Sequence, residues 1–294
     1  MSDRVLDKAH WPVVRRAAVA AGRAVASQRV SLVAAGCAFY ATLALFPTIT
    51  MLISLYGLAF NPDTVQPQLH YLQHFMPPAA FQLISDRIQS LVAAPARSLG
   101  AGFVISLVIS LWSSSTGTKS ILNALTLAYN ETEDRGMIKF QLVALGMTLV
   151  AVVGAVLAIA ILVAIPLAIA FLGLSGYAQL LAALIGFAAM ITFVLISLGL
   201  LYRFGPAGGG HIFYAPGAGL ATIIWLAGSW AFGWYVGHFA AYSAMYGPLA
   251  TLIGLMMWFY LTAYIVLLGA ELNAALDAEW KASKGAASEM ALAG

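Results

Sequence analysis

Histidine pairs offer the most direct route to metal chemistry in this sequence. The chain has five histidines: His10, His70, His74, His211 and His238. His70 and His74 stand four residues apart, so a helix would place both on one face, as in a zinc-binding pair. A third ligand would have to fold back from Asp63 or Asp86, and the His-x-His-x-Asp-His motif of a nuclease is absent. We therefore interpret the pair as polar residues on the wet face of an amphipathic helix, and we predict no metal site and no cofactor.

Nucleophilic catalysis is also disfavoured. Ser113, Ser114 and Ser115 form a run with no local base, and G-x-S-x-G is absent. Clustered hydroxyls near a helix end more often bond to the backbone or to a neighbouring helix. The nucleotide-binding pattern G-x-x-x-x-G-K-[ST] is also missing, so ATP would have to come from another chain. The sequence predicts no catalytic residues, the chain is not expected to be an enzyme, and a nuclease is the least favoured function.

The composition is that of a protein dissolved in lipid. Of 294 residues, 62% are hydrophobic and 9% are charged, whereas soluble domains carry about 25% charged residues. A soluble chain this apolar would expose large greasy patches. The net charge of +3 comes from a basic N-terminal tail next to an apolar run, which sets membrane orientation more often than it binds nucleic acid. We predict membrane lipids as partners and no nucleic-acid partner.

Long uncharged blocks define the membrane spans. A bilayer core about 30 Å thick needs roughly 20 helical residues, and Gly/Pro clusters divide the longest blocks. Continuous apolar runs favour helices over a β-barrel, whose strands alternate. The predicted fold is therefore all-α, a polytopic membrane protein with six transmembrane helices. The predicted spans are 32–58, 98–116, 142–170, 177–202, 216–238 and 249–270.

The placement of Lys and Arg predicts the orientation. If the N-terminus is cytoplasmic, inner segments carry 12 of the 14 basic residues, and only Arg87 and Arg97 lie outside. This bias and the even span count both put the two termini in the cytoplasm. The predicted parts are a basic tail over 1–30, a membrane domain over 31–272 and a cytoplasmic tail over 273–294. Within the membrane domain, the outer loop 59–97 is expected to form two short amphipathic helices.

Four stretches resemble one family of bacterial inner-membrane proteins. They are Ser31–Pro47, Trp112–Leu125, Leu201–Pro206 with Pro216–Ala218, and Tyr246–Gly247 with Trp258 and Gly269–Asn273. As a set they are similar to the motifs of the YihY/BrkB family and cover about residues 20–275. The resemblance implies a multi-pass protein of the inner membrane; some members carry an old ribonuclease BN label, and others are called virulence factors. The linker after Pro206 departs from the family, since it reads Ala-Gly-Gly-Gly-His where basic residues are usual.

Polar and aromatic residues within the spans are the candidates for a substrate pathway. Pro47 in the first span interrupts helix hydrogen bonding, and a broken helix with polar groups at mid-depth is how transporters build a site. The alternative is a packing kink whose hydroxyls bond to their own backbone. An aromatic repeat in the fifth span either lines a groove or forms an interfacial belt. The candidates are Tyr40, Thr42, Pro47, Thr48, Ser113, Thr116, Trp234, Tyr235, His238 and Tyr246.

Two further features concern partners and the membrane surface. Gly233 and Gly237 form a Gly-x-x-x-Gly pair, which permits close helix contact within the bundle or between two copies of the chain. A cytoplasmic polar cluster is predicted at the span ends, where it would meet an anionic headgroup or gate a cavity; ordinary snorkelling is the alternative. Its candidates are Lys119, Arg203, Glu271 and Asn273.

These features favour a carrier or flippase for a lipid-like or amphipathic molecule, because the predicted spans hold almost no charge that would mark an ion pathway. The alternative from another class is a non-transporting membrane scaffold or envelope-integrity factor. A cavity lined by Tyr40, Thr48 and Trp234 would favour transport, and a dry, packed bundle centre would favour the scaffold.

Overall fold

The chain is a bundle of long helices in a computed structural model. The structure describes residues 11–25, 28–59, 101–171, 176–208, 211–238 and 248–293. Within those ranges there is no strand, which confirms the all-α prediction. The helices are α1 (Trp11–Val25), α2 (Gln28–Ala59), α3 (Ala101–Ala128), α4 (Met137–Phe171), α5 (Tyr177–Phe204), α6 (Ala215–His238) and α7 (Pro248–Ala293).

Helices α2 to α7 each contain most or all of one predicted span. Four stretches of the described residues are long and apolar enough to cross a membrane, and the α1–α2 pair, bent by 65°, would make a fifth. The count of six is consistent with these helices and stays a prediction. The amphipathic helices predicted within 59–97, together with His70 and His74, lie outside the described residues.

The six long helices are arranged as a ring in chain order. Each of α2 to α6 packs against the next helix, and α7 closes the ring by packing against both α6 and α2. Because every successive helix reverses direction, α2 begins where α3 ends, and residues 205–214 join α5 to α6 at that same end. We call this the linker end of the bundle.

The best-packed part of the core lies towards the linker end. Small side chains such as Ala34, Ala124 and Ala270 let the helices approach, while Tyr202 and Leu267 fill the space between them. Close packing by small residues is the usual way in which helices associate in lipid. The linker end is therefore the part of the molecule where side-chain positions are most constrained by their neighbours.

One helix crossing depends on two glycines. A β-carbon at Gly217 of α6 would overlap the carbonyl oxygen of Gly269 of α7, and a β-carbon at Gly269 would overlap the Tyr202 hydroxyl. Tyr202 donates that hydroxyl to the Val266 carbonyl oxygen at 2.8 Å. Glycine at both positions thus lets α6 and α7 meet backbone to backbone and leaves room for the Tyr202 side chain of α5.

The last helix extends well past the predicted sixth span. It has 46 residues, which corresponds to about 69 Å at the rise of an α-helix and exceeds the bilayer core. The predicted tail 273–294 therefore continues α7 as helix through Ala293. Helix α1 packs along this extension through the buried side chains of Ala17 and Ala21, and Arg16 pairs with Glu279 at 3.0 Å.

Candidate functional site

A histidine between two carboxylates is the centre of the polar structure at the linker end. His211 lies in the segment that joins α5 to α6. Its Nδ1 is 3.0 Å from an Asp277 carboxylate oxygen on α7, and its Nε2 is 3.0 Å from a Glu131 oxygen in the turn after α3. The side chains of His211 and Asp277 are each 5% exposed.

The two contacts of His211 differ in kind. The Nδ1 contact has the geometry of a hydrogen bond. At Nε2, the Glu131 oxygen lies at ion-pair distance but out of line for a hydrogen bond, so this buried nitrogen has no such partner among the described residues. Because the two carboxylates face different nitrogens of the ring, the three groups do not converge on one point. No group of three His, Cys, Asp or Glu residues suited to a metal ion occurs in the described ranges.

Asp277 also fixes the backbone of the linker. One of its oxygens accepts hydrogen bonds from the amides of Ile212 and Phe213, at 3.2 and 3.3 Å. The Phe213 ring meets Trp280 edge-on, with centroids 6.0 Å apart. A buried carboxylate is tolerated where several donors satisfy it. This part of α7 thus holds the linker in three ways: Asp277 contacts His211, it accepts hydrogen bonds from two linker amides, and Trp280 makes an aromatic contact with Phe213.

Asn273, one helical turn before Asp277, fixes the start of α6. It is completely buried, its side-chain oxygen accepts from the Gly217 amide at 2.8 Å, and its nitrogen donates to the Tyr214 carbonyl at 3.3 Å. An amide suits this position because it donates and accepts at once. The i, i+4 spacing puts Asn273 and Asp277 on one face of α7. Together these two side chains bind the linker and the first turn of α6.

The turn between α3 and α4 also binds the linker. A Glu131 oxygen accepts from the Gly208 amide at 2.7 Å. Arg135 donates to the Gly205 carbonyl at 2.9 Å and to Glu133 at 2.6 Å. Hydrogen bonding to Arg135 lowers the pKa of Glu133. The Arg135 side chain is only 8% exposed, because it bonds to the turn and to the linker at the same time.

The Tyr129 ring packs against the imidazole of His211 and forms one wall of the site. The two ring centroids lie 4.2 Å apart. Burial raises the pKa of Tyr129, an effect that the nearby Asn273 side chain partly offsets. Its buried hydroxyl has no aligned hydrogen-bond partner among the described residues. The next residue, Asn130, has a φ of 53°, a left-handed conformation that ends α3.

The four residues predicted as a cytoplasmic polar cluster do not form one group. Asn273 is part of the His211 site. Arg203 is exposed at the end of α5, with its guanidinium 5.5 Å from the centre of the Tyr214 ring. Lys119 lies on α3 and donates to Gln141 of α4 at 3.1 Å. Glu271 faces a different pocket, on the side of α7 next to the start of α2.

The pathway candidates of α2 and α3 form contacts between helices and within them. The Thr48 hydroxyl is 2.5 Å from Ser114 and also bonds to the Ala44 carbonyl of its own helix. Thr42 is buried and bonds to the carbonyl of Ala38, while α2 continues as helix through Pro47. The remaining candidates on these two helices are Tyr40, which is exposed, and Ser113 and Thr116, which are half-buried.

A second line of polar contacts joins α3 to α4. The hydroxyls of Thr118 and Thr148 are 2.7 Å apart, and Gln141 donates to the Ser115 hydroxyl at 3.2 Å. Together with the contact between Thr48 and Ser114, these bonds run across three consecutive helices. We call these six residues the polar seam.

The aromatic candidates of α6 lie on its outer surface. Trp234 is 59% exposed and Tyr235 is also exposed. The side chain of His238 and all of Tyr246 fall outside what the structure describes. An added β-carbon at Gly233 would meet nothing within 4 Å. Within the described part of one chain, Gly233 therefore makes no close contact with another helix.

The sequence-based candidates include Asn273 but omit His211, Glu131, Asp277 and Tyr129. One signal was present, because two polar residues four apart, Asn273 and Asp277, follow an apolar helix. The partner of Asp277 is a lone histidine in a glycine-rich linker, which has no local pattern of its own.

With this geometry in view, comparison with known proteins places the chain. A family model described as Virulence factor BrkB matches residues 21–292. The chain belongs to the BrkB family. The resemblance of its four motifs to YihY/BrkB proteins is thereby confirmed, and the chain is a membrane protein.

Relatives of the BrkB chain carry two kinds of name. It is 31% identical over 246 residues to the "putative ribonuclease-like protein YfkH" of Bacillus subtilis, covering 81% of this chain and 87% of that one. It is 41% identical over 68 residues to a "UPF0761 membrane protein" of Tolumonas auensis, covering 23% of this chain and 22% of that one. A "UPF0761 membrane protein" of Xanthomonas campestris is 41% identical over 80 residues, which is 27% of this chain and 19% of the relative. No solved structure matches.

Proposed function

We propose that this chain is a carrier or flippase that moves a lipid-like or amphipathic molecule across the bacterial inner membrane. The observation that carries the proposal is the polar seam, in which hydroxyls and an amide of α2, α3 and α4 meet inside a ring of apolar helices. Such contacts between helices can exchange partners with a polar headgroup, because Thr48, Ser115 and Thr148 also bond to backbone carbonyls of their own helices.

The distribution of charge supports a lipid-like cargo. Helix α6 contains no Asp, Glu, Lys or Arg, and α5 has only Arg203, in its last turn. Charged groups inside a membrane are costly and mark ion or proton pathways when they occur. The side chains of the polar seam are themselves neutral, and the charged group bonded to them is Lys119, through Gln141. A mainly neutral pathway suits a molecule that brings its own apolar part.

The His211 site would act as the closure of the pathway at the linker end, which we place in the cytoplasm with both termini. His211 connects the turn after α3, through Glu131, with α7, through Asp277. Moving the linker would break contacts on both sides at once. Such a two-sided contact can hold one of two packed arrangements of a bundle.

The test is lipid movement in proteoliposomes. Purified protein is reconstituted with a fluorescent phospholipid, and dithionite quenches the label that reaches the outer leaflet. We expect the chain to move label, and T48A combined with S114A to change the rate. The matched control is Thr192→Ala, an exposed α5 hydroxyl that bonds to its own helix. If the folded chain moves neither lipid nor any amphipathic solute, transport is excluded.

A non-transporting scaffold is favoured by one different observation, the packing of α1 along the extension of α7. A helix pair beyond the bilayer is a surface on which another protein can assemble. Ala17→Trp would push α1 off α7, since Ala17 is fully buried; Ala20→Trp, at an exposed position, is the control. Envelope defects from the first variant with unchanged lipid movement would favour the scaffold.

We propose no enzymatic role. The name of the Bacillus subtilis relative contains "ribonuclease-like", but cleavage of RNA needs groups that converge on the attacking water or metal. His211, whose imidazole is the one that the structure describes, has both nitrogens turned to carboxylates. Replacing it and finding RNA cleavage by purified protein reduced would contradict this.

A further inference from the structure

A second site lies at the linker end, on the opposite side of α3 and α7 from His211. It is a pocket of about 320 Å³ between α1, α2, α3 and α7. This volume lies at the lower end of the range of small-molecule sites. Its walls are mostly apolar, with Val30, Val33, Leu127 and Leu267 among them.

Two opposite charges face this pocket. Arg29 stands at the start of α2 and is exposed, and Glu271 of α7 is half-buried. Neither takes part in a direct ion pair within the described part of the chain. A half-buried carboxylate without a hydrogen-bonded partner is costly, so Glu271 is an acceptor available to a cationic donor.

The predicted spans put the pocket near the boundary between hydrocarbon and headgroups. Arg29 lies just before the first predicted span and Glu271 just after the sixth. Basic residues at such a boundary attract phosphate, and apolar walls suit the glycerol and the first methylenes of an acyl chain. A pocket with both charges and apolar walls is complementary to a zwitterion that carries a lipid tail.

The lining also distinguishes between zwitterionic headgroups. A quaternary ammonium such as choline has no N–H to donate and is held by aromatic faces. None of the described residues that line the pocket is aromatic, and the pocket offers a carboxylate instead. A primary ammonium donates three hydrogen bonds and suits that carboxylate.

We infer that this pocket binds the headgroup of a phospholipid with a primary ammonium, of the ethanolamine type, with the phosphate at Arg29 and the ammonium at Glu271. The inference rests on the proposed function, because it names the class of lipid that the carrier would take. Binding and movement are separate measurements, so the two proposals can fail separately.

The experiment measures binding of short-chain phosphatidylethanolamine, phosphatidylcholine and phosphatidylglycerol to the full chain in detergent. We expect the ethanolamine lipid to bind best. Glu271→Gln removes a charge-assisted hydrogen bond and should weaken its binding roughly tenfold, which abolishes the preference over choline. Arg29→Gln should weaken the ethanolamine and choline lipids equally, because both carry the phosphate.

Matched controls come from the neighbouring ion pair. Glu279→Gln removes a negative charge from α7, as Glu271→Gln does, and Arg16→Gln removes a positive charge from α1; both residues lie outside the pocket. Both variants should keep the preference for the ethanolamine lipid. Val33→Phe fills the pocket without touching a charge and should weaken all three lipids. If Glu271→Gln fails to fold, Val33→Phe still tests whether the lipids bind in this pocket.

Three results would overturn the inference: equal binding of the three lipids, an unchanged preference in Glu271→Gln, or free phosphoethanolamine binding as well as the lipid. Ethanolamine lipid bound in the expected way but never moved in proteoliposomes would remove the proposed transport and leave the pocket standing. Lipid movement without any headgroup preference would remove the pocket assignment alone.

Discussion

At the scale of single residues, the linker end is organised by side chains that each serve two segments. His211 contacts both Glu131 and Asp277, and Asn273 bonds to Tyr214 and Gly217. Such groups cost much to bury unless every partner is present. Their loss should therefore be felt more strongly than the loss of a surface charge.

Asp277→Ala tests this difference. The change leaves the amides of Ile212 and Phe213 without their acceptor, and it also removes one partner of His211. We expect a loss of about 1–3 kcal/mol in the free energy of unfolding, seen as a lower unfolding temperature in detergent.

Asp134→Ala is the control for that change. Asp134 is exposed and accepts from Thr132 within its own turn, so its loss should shift the unfolding temperature little. If the two variants unfold at the same temperature, the buried network does not stabilise the linker.

The residue scale is also where sequence-based prediction is weakest. Asn273 stands out in the sequence because a family-like motif ends on it. His211 does not, because its partners are 66 and 80 positions away (Asp277 and Glu131) and nothing in its own neighbourhood points to them.

At the scale of elements, the crossing of α6 and α7 decides how close the linker comes to its partners. Gly217 and Gly269 meet with no room for a side chain, and this brings Asn273 within reach of the first turn of α6. Hydropathy predicts some helices closely, since α4 runs over Met137–Phe171 where a span over 142–170 was expected. The helix extensions are not, because they depend on packing rather than on hydropathy.

Gly217→Ala should weaken this crossing. The added methyl group would overlap the Gly269 carbonyl and the Asn273 side chain, and overpacking of this kind costs about 1–3 kcal/mol. We expect a lower yield of folded protein and a lower unfolding temperature in detergent.

Gly219→Ala, two positions along the same helix, is the matched control. A β-carbon there would meet nothing within 4 Å, and alanine is the better helix former by up to about 1 kcal/mol. Equal yields and stabilities for the two variants would contradict the close crossing.

At the scale of the whole molecule, the ring of six alternating helices fixes which segments share an end. The turn after α3, the linker and the later part of α7 meet through Glu131, His211 and Asp277, whereas α5 begins at the other end. We therefore expect these segments to lie on one side of the membrane, and the positive-inside rule predicts that this side is the cytoplasm.

Cysteine labelling checks the arrangement. In a Cys37→Ser background, D134C, I212C and K281C should react with a membrane-impermeant reagent only from the cytoplasmic side. Y177C, at the start of α5, should react only from outside. Labelling of position 134 and position 281 from opposite sides would refute the ring order as well as the orientation.

The amino-acid sequence by itself determined that the chain lives in a membrane, roughly where its helices run, and to which family it belongs. Hydrocarbon imposes these features locally, because each span must be apolar along its whole length and satisfy its backbone internally. Only the tertiary structure decided that Glu131, His211 and Asp277 meet and that Arg29 and Glu271 share a pocket. Those meetings depend on which helix faces approach one another, and that is settled by packing between distant segments rather than by any local pattern.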